Sequence, residues 1–239
     1  FSALSFMKNK LIKLKTLVNK NVFVPTGTSD LLIETSVKII KPNKTILDLG
    51  CGNGIVGISI SKIKNFKKKI YFSDVSNSAC KNAKQNCNKF KINSEIKKGK
   101  IFDPWKNYKF DYIVSDVAAI ADGVAKISPW YKNCVNNAGV DGTNNVVKFL
   151  SEAKFYLNKK GKILFPIISL SNEKKIMSVL KKNFSSIKLV NTKTWPMPKS
   201  MYKNINLLNK LKNKKIIYFE NKYGILTFKT DIYYAQKKK

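Results

Sequence analysis

The stretch "ILDLGCGNGIVGISI", residues 46–60, decides the fold because it sets an acid and four glycines between two apolar runs. The run that ends at Leu49 is typical of a short buried strand, and the run that begins at Ile55 is typical of a helix. Gly50, Gly52 and Gly54 allow a sharp turn and let a ligand approach the backbone without a Cβ in the way. The stretch therefore predicts a strand, a ligand-binding loop and a helix.

The rest of the chain alternates strand-like and helix-like runs, which indicates parallel strands joined by helical crossovers. We predict an α/β fold with a doubly wound, mostly parallel, seven-stranded Rossmann-like sheet. Residues 214–236 hold two β-rich runs joined by "ENKYG", which predicts a C-terminal antiparallel hairpin at or near one edge. We assign residues 25–239 to this domain. Residues 1–24, with apolar residues at helical spacing in 11–20, are predicted to form an N-terminal helical extension.

The formal net charge of +32 is typical of proteins that bind nucleic acid, so RNA or the ribosome is a candidate partner. All 46 basic residues are lysine, however, and phosphate-binding sites commonly use the bidentate arginine side chain. A compositional bias of the whole chain therefore remains the competing explanation. The charge itself does not identify the partner.

The chain has no apolar run of the roughly 18 residues that a membrane span needs, and we expect no membrane partner. The lysine-rich N-terminus lacks the pattern of a signal peptide. The four cysteines have no metal-ligand spacing and histidine is absent, so we expect free thiols, no metal and a cytoplasmic protein.

A second acid narrows the choice of ligand. Asp74 ends the next predicted strand, 20 residues after Gly54, where a carboxylate can accept both hydroxyl groups of a ribose. The glycines also satisfy GxGxxG, so an NAD(P)-dependent oxidoreductase is an alternative. Asp48 opposes it, because a carboxylate beside the loop would repel a pyrophosphate but attract an ammonium group. S-adenosylmethionine has an ammonium group and no phosphate, so it is the predicted cofactor.

These motifs resemble those of class I S-adenosylmethionine-dependent methyltransferases, nearest to the group of release-factor glutamine methyltransferases and small-domain RNA methyltransferases. The resemblance rests on "VFVPTGTSDLLIET" (22–35), "LDLGCGNGIVGISIS" (47–61), "SDVSNSACKNAKQN" (73–86) and "GKIFDPWKNYKFDYIVSD" (99–116). It implies that Asp48 and the glycine loop hold the methionine moiety, that Asp74 holds the ribose, and that Ile101 and Phe102 flank the adenine. The implied cofactor-binding set is Thr28, Asp48, Gly50, Cys51, Gly52, Asn53, Gly54, Asp74, Val75, Ile101, Phe102 and Asp116.

The fourth motif departs from that group. Where the amide- and adenine-N-methyltransferases have Asn-Pro-Pro-Tyr, this chain has Asp116, Val117, Ala118 and Ala119. The aromatic residue and both prolines are missing, which disfavours methylation of a release-factor glutamine. Asp116 still follows a strand where the acceptor should lie, so we predict that it is the catalytic residue.

The acceptor-binding residues are harder to predict from the chain alone. We take Val117 and Ala118, with Trp130 and Tyr131 from "ADGVAKISPWY" (121–131), as substrate-binding residues, although packed core aromatics explain the last two equally well. We interpret "TWPMPKSMY" (194–202) as ordinary loop packing in preference to a second wall of the pocket. The predicted activity is methyl transfer to an unidentified protein, RNA or small-molecule acceptor. An rRNA, tRNA or ribosomal-component methyltransferase and an inactive binding module with the same fold are alternatives.

Overall fold

The computed structural model describes residues 14–132, 134 and 136–238. Its helices are α1 (Gly27–Ile39), α2 (Ile55–Ile63), α3 (Asn77–Lys89), α4 (Asp122–Ile127), α5 (Asn144–Glu152), α6 (Glu173–Asn183) and α7 (Ile205–Asn213). Its strands are β1 (Ile46–Leu49), β2 (Ile70–Asp74), β3 (Ser94–Lys98), β4 (Phe110–Ser115), β5 (Leu157–Ile168), β6 (Phe184–Pro196), β7 (Glu220–Lys222) and β8 (Ile225–Lys237). Among these described helices, none is long and apolar enough to cross a membrane.

The strands form one mixed sheet in the order β3-β2-β1-β4-β5-β8-β6, and β7 pairs with β8. The pairs from β3 to β5 are parallel, whereas β8 is antiparallel to both β5 and β6. The order reverses beside β1, because β2 lies on one side of it and β4 on the other. Ligands of open α/β sheets bind at such a reversal, beyond the carboxyl ends of the strands.

Both faces of the sheet are covered, which explains why the central strands read as continuous apolar runs. Alternate residues of a strand point to opposite faces. Leu47 and Leu49 accordingly belong to a core cluster with residues of α5 and α6. Ile46 lies in a second core cluster with residues of α1, α2 and α3. The two layers hold the ends of β1, β2 and β4 in fixed positions.

The prediction of a doubly wound sheet with seven main strands and a C-terminal antiparallel hairpin is confirmed. The hairpin lies near one edge, as predicted, because only β6 lies outside β8 in the sheet order. The long strand of the hairpin, β8, lies inside the sheet between β5 and β6, and its partner β7 has only three residues. Strand β6 and helix α7 were not predicted. More than half of the residues of β6 are exposed, so it lacks the apolar run of a buried strand.

The predicted N-terminal extension is only partly within the described chain. Residues 1–13 lie outside the described residues, and 14–20 contain no helix, contrary to the prediction. The segment instead packs on the domain: the backbone N–H of Leu17 donates to Asn86 Oδ1 (2.8 Å), and Asn53 Nδ2 donates to Leu17 O (3.2 Å). Val22 is buried. The domain boundary at residue 25 stays a prediction.

Candidate cofactor and acceptor site

The glycine loop between β1 and α2 is shaped by backbone geometry. Gly50 has φ +72°, and a Cβ at that position would lie 2.7 Å from Val117 Cγ1. The N–H groups of Gly50 and Cys51 both donate to Ser73 O, which ties the loop to the end of β2 (2.8 and 3.0 Å). Gly52 has φ +52°, and a Cβ there would have no atom within 4 Å among the described residues. The loop therefore leaves open space on its outer side.

Asp74 ends β2 beside this open space. Its Oδ2 accepts from the N–H of Gly52 (2.9 Å) and its Oδ1 accepts from the N–H of Ser76 (2.8 Å). Burial raises the pKa of the carboxyl above its ordinary value, while these backbone donors act in the opposite direction. Each carboxylate oxygen has a further lone pair, so Asp74 can also accept from a diol.

Asp48 lies behind the loop, and it is not among the described residues that line the cavity. Its Oδ2 accepts from the N–H of Gly57 (2.8 Å), and its Oδ1 is buried without a hydrogen-bond partner in the described chain. Burial raises its pKa to about 7, with the nearby charges of Asp116 and Asp74 adding to the effect. Asp48 thus supports the first turn of α2, and its predicted contact with an ammonium group stays a prediction.

A cavity of about 1160 Å³ runs along the carboxyl ends of the strands. Most of the predicted site residues line it: Thr28, Gly50, Cys51, Gly52, Asn53, Asp74, Val75, Ile101, Asp116, Val117, Ala118, Trp130 and Tyr131. Gly54 and Phe102, like Asp48, are not among the lining residues of the described chain. Gly54 directly precedes α2, and Phe102 is fully buried, stacked on Tyr156 with 4.3 Å between the ring centroids.

Asp116 lies at the carboxyl end of β4, in the same cavity as the glycine loop. Its Oδ2 accepts a hydrogen bond from Ser29 Oγ (2.6 Å), a residue of α1 that was not predicted to belong to the site. Burial raises the pKa of Asp116, and the nearby charge of Asp30 adds to this. The carboxylate is therefore held in one orientation and made more basic.

Aromatic side chains also line the cavity. The predicted Trp130 packs edge-to-face on Phe228 (5.3 Å between ring centroids), and Tyr131 packs on Phe23 (5.1 Å). Trp195 also lines the cavity. The interpretation of 194–202 as loop packing was therefore wrong for Trp195, which is part of strand β6. Phe228 had no sequence signal beyond that of a strand residue.

Metal ligands are not clustered in this part of the molecule. The described residues contain no group of three or more His, Cys, Asp or Glu that could hold a metal ion. Asp141, an acid of the loop before α5, accepts hydrogen bonds from Thr143 Oγ1 (2.7 Å) and from Lys175 Nζ (2.9 Å). The prediction of no metal stays a prediction.

Comparisons with known proteins identify the family of this chain. A family model described as a methyltransferase domain matches residues 40–224. A release factor glutamine methyltransferase of Borreliella burgdorferi is 28% identical over 191 residues, covering 77% of this chain and 66% of that protein. A ribosomal protein L11 methyltransferase of Caldanaerobacter subterraneus subsp. tengcongensis is 29% identical over 159 residues, covering 65% and 48%. The chain therefore spans about half to two thirds of the length of these relatives.

A solved structure shares the fold. The 16S rRNA methyltransferase of T. thermophilus, in complex with AdoMet and guanosine, superposes with a TM-score of 0.56 at 12% identity. The superposition covers 90% of this chain and 44% of that chain. At this identity the likeness concerns the fold alone.

Proposed function

Because this chain belongs to the methyltransferase domain family, with S-adenosylmethionine as the cofactor, we propose that it methylates a planar nitrogen, of the kind found in a side-chain amide. The observation that carries the proposal is the placement of Asp116. This carboxylate follows β4, is oriented by Ser29 and lines the same cavity as the glycine loop. It can accept a hydrogen bond from an acceptor N–H group.

The residues around the loop fit the cofactor. The open space outside Gly52 can admit the methionine moiety against bare backbone, and Asp74 has lone pairs left for the ribose hydroxyls. Thr28, Val75 and Ile101 line the same cavity and stay in the proposed binding set. When bound, S-adenosylmethionine supplies a methyl group on a positively charged sulfur, which an aligned nucleophile displaces in one step.

The protein's contribution is position and proton transfer. Ser29 holds the Asp116 carboxylate, and the carboxylate in turn fixes the direction of the acceptor nitrogen. The proton that the nitrogen loses passes to Asp116, whose raised pKa makes it a better base than an exposed aspartate.

A glutamine-type amide is the favoured acceptor because of the relatives. The release factor and L11 enzymes are named for protein substrates, and the first is named for glutamine. The missing Asn-Pro-Pro-Tyr sequence separates this chain from the group that it resembles, so the acceptor protein need not be the same. We therefore propose a protein amide without choosing the protein.

An RNA base is the second candidate, and a specific observation favours it. Lys100, Lys132 and Lys148 line the cavity together with its aromatic residues. Lysines and aromatic rings are the groups that hold phosphates and stacked bases in RNA-binding sites. The net charge of +32 would also favour binding to the negatively charged RNA backbone.

The test has two stages. Calorimetric titration of the purified chain with S-adenosylmethionine should show one binding site, and its absence would refute the whole proposal. Methyl-tritiated cofactor is then incubated with a release factor, with ribosomal proteins and with ribosomal and transfer RNA. Protease-sensitive, nuclease-resistant label supports the amide acceptor, nuclease-sensitive label supports the RNA candidate, and no label on any acceptor supports an inactive binding module.

A further inference from the structure

In the segment that follows β4, Asp116 is succeeded only by small apolar side chains, Val117, Ala118 and Ala119. Large rings are supplied to the same cavity by three other segments of the chain. Trp130 comes from the short helical turn 129–131, Trp195 from β6 and Phe228 from β8. We call these three residues the aromatic wall.

The wall is one connected unit. Trp130 packs on Phe228 at 5.3 Å, and Phe228 is the register partner of Trp195 in the antiparallel pair β6–β8. All three line the cavity, and two of them, Trp130 and Trp195, are only partly buried. Partly buried tryptophan rings in a cavity leave apolar area available for a ligand to cover.

Trp195 is held in a fixed orientation. Its indole Nε1–H donates to Thr230 Oγ1 (3.1 Å), and Thr230 Oγ1 lies 3.2 Å from Thr28 Oγ1. The benzo edge of the indole lies against Gly27, where a Cβ would be 2.5 Å from Cη2. Lys193 Nζ lies 4.3 Å from the ring centroid. A ring fixed by a hydrogen bond and by close backbone contact costs little further entropy when it binds a ligand.

The wall and Asp116 share a support. Thr28 of α1 contacts the hydroxyl group of Thr230, which accepts the hydrogen bond from Trp195. The next residue of α1, Ser29, donates a hydrogen bond to Asp116. Asp74, by contrast, lies at the end of β2, on the other side of β1 in the sheet order. The aromatic rings are therefore placed on the side of the cavity that contains Asp116.

We infer that the aromatic wall is the acceptor platform of this protein: a planar amide packs against Trp195 and Trp130 while its N–H group points to Asp116. This inference rests on the proposed function. Trp195 and Trp130 are then residues that determine which acceptor binds. The rings come from β6 and from the 129–131 turn, whereas the segment 116–119 has none.

The experiment measures binding of two probes to the chain saturated with S-adenosylhomocysteine, by saturation-transfer NMR titration. The probes are N-acetylglutamine methylamide, which has a planar side-chain amide, and adenosine. We expect the amide probe to bind, with an affinity about tenfold lower in Trp195→Leu and in Trp130→Leu. Trp195→Phe keeps a ring and should recover most of the affinity. Tyr223→Leu, a fully exposed aromatic position, is the control and should have no effect.

Several results would overturn the inference. They are unchanged amide binding in both leucine variants, no amide binding by the wild-type chain, and binding of adenosine in preference to the amide. The affinity for S-adenosylhomocysteine, measured on the same samples, should be unchanged in all variants. An equal loss of affinity for the amide probe and for S-adenosylhomocysteine would also count against the platform. If the wild-type chain binds no S-adenosylhomocysteine, it is the proposed function that fails.

Discussion

The two sides of the cavity are built in different ways. The glycine-loop side uses consecutive residues, 50–54, together with Asp74 at the end of the neighbouring strand. The aromatic side combines α1, β4, the 129–131 turn, β6 and β8, and its members are up to 202 residues apart in sequence. A short contiguous motif determines backbone shape, whereas the aromatic side depends on how distant strands are ordered in the sheet. The first side is therefore readable in the sequence, and the second appears only after folding.

The largest expected effect is on turnover, and it should be separable from cofactor binding. Asp116→Asn keeps the size of the side chain but removes the base, so turnover should fall by about 10²- to 10⁴-fold. The dissociation constant for S-adenosylmethionine should change little if, as we propose, the glycine loop and Asp74 make the main contacts with the cofactor. Single-turnover methyl transfer and calorimetry measure the two quantities. Glu34→Gln, on α1 but outside the lining of the cavity, is the control, and equal losses in binding and turnover would show that the division is wrong.

The next effect concerns Asp48, which lies behind the glycine loop and supports α2. The pKa of Asp48 rises from 3.8 to about 7 on folding, so the folded state keeps a proton that the unfolded chain releases. Protonated Asp48 makes its full contribution to the free energy of unfolding below pH 4. Between pH 4 and pH 7 this contribution is lost, and the free energy of unfolding falls by roughly 4 kcal/mol. Asp48→Asn should flatten this fall in urea unfolding measured from pH 4.5 to 8.

Asp74 and Asp116 also have raised pKa values, so a smaller slope should remain in the Asp48→Asn variant. Asp103→Asn, an exposed acid, is the matched control and should keep the wild-type slope. A stability of the wild-type chain that is independent of pH across this window would show that Asp48 is charged in the folded state.

The glycine-loop side is tested most directly by Asp74→Ala. Loss of hydrogen bonds to a charged group costs about 1.5–3 kcal/mol, so S-adenosylmethionine affinity should fall by about 10- to 100-fold. The amide probe should still bind once the cofactor site is saturated. Asp103→Ala is the control for the loss of a negative charge. A variant with normal cofactor affinity would remove Asp74 from the proposed binding set.

The smallest expected effect belongs to the aromatic side. Gly27→Ala would place a Cβ 2.5 Å from Trp195 Cη2, so the indole must shift. We expect amide-probe affinity to fall about fivefold, with S-adenosylhomocysteine affinity unchanged. Gly123→Ala, where the new Cβ would meet only the flexible end of Leu211 at 3.2 Å, is the matched control. If Gly27→Ala behaves like this control, the position of Trp195 does not matter for binding.

Sequence reasoning was most successful where a residue's neighbours in the chain are also its neighbours in space. The predicted strand–loop–helix unit is present around Gly50. The next helix also has a local start signal, since Ser76 caps α3 by accepting from the N–H of Ala79 (3.3 Å). Two other helix starts are not readable in this way: Thr26 precedes α1, close to Thr28, Ser29 and Asp30, and Asn172 caps α6 beside Ser171. Several small polar residues stand side by side at both places, so the sequence did not discriminate between them.

Ser29 and Trp195 show why the rest of the site was not predictable. Ser29 reads as a helix residue, and its hydrogen bond to Asp116 spans 87 residues of chain. Trp195 lies in a strand that exposes most of its residues, so it carried no pattern of burial. Its place in the cavity follows from the insertion of β8 between β5 and β6.

The sequence by itself determined the alternation of strands and helices, the glycine loop, the position of Asp74 and the departure at Asp116. These are local properties, since they depend on backbone freedom, on periodicity and on the chemistry of single side chains. The tertiary structure decided that Asp48 lies behind the loop, that Ser29 holds Asp116, and that rings from β6, β8 and the 129–131 turn line one cavity. Those contacts join residues far apart in the chain, and only the packing of the completed sheet brings them together.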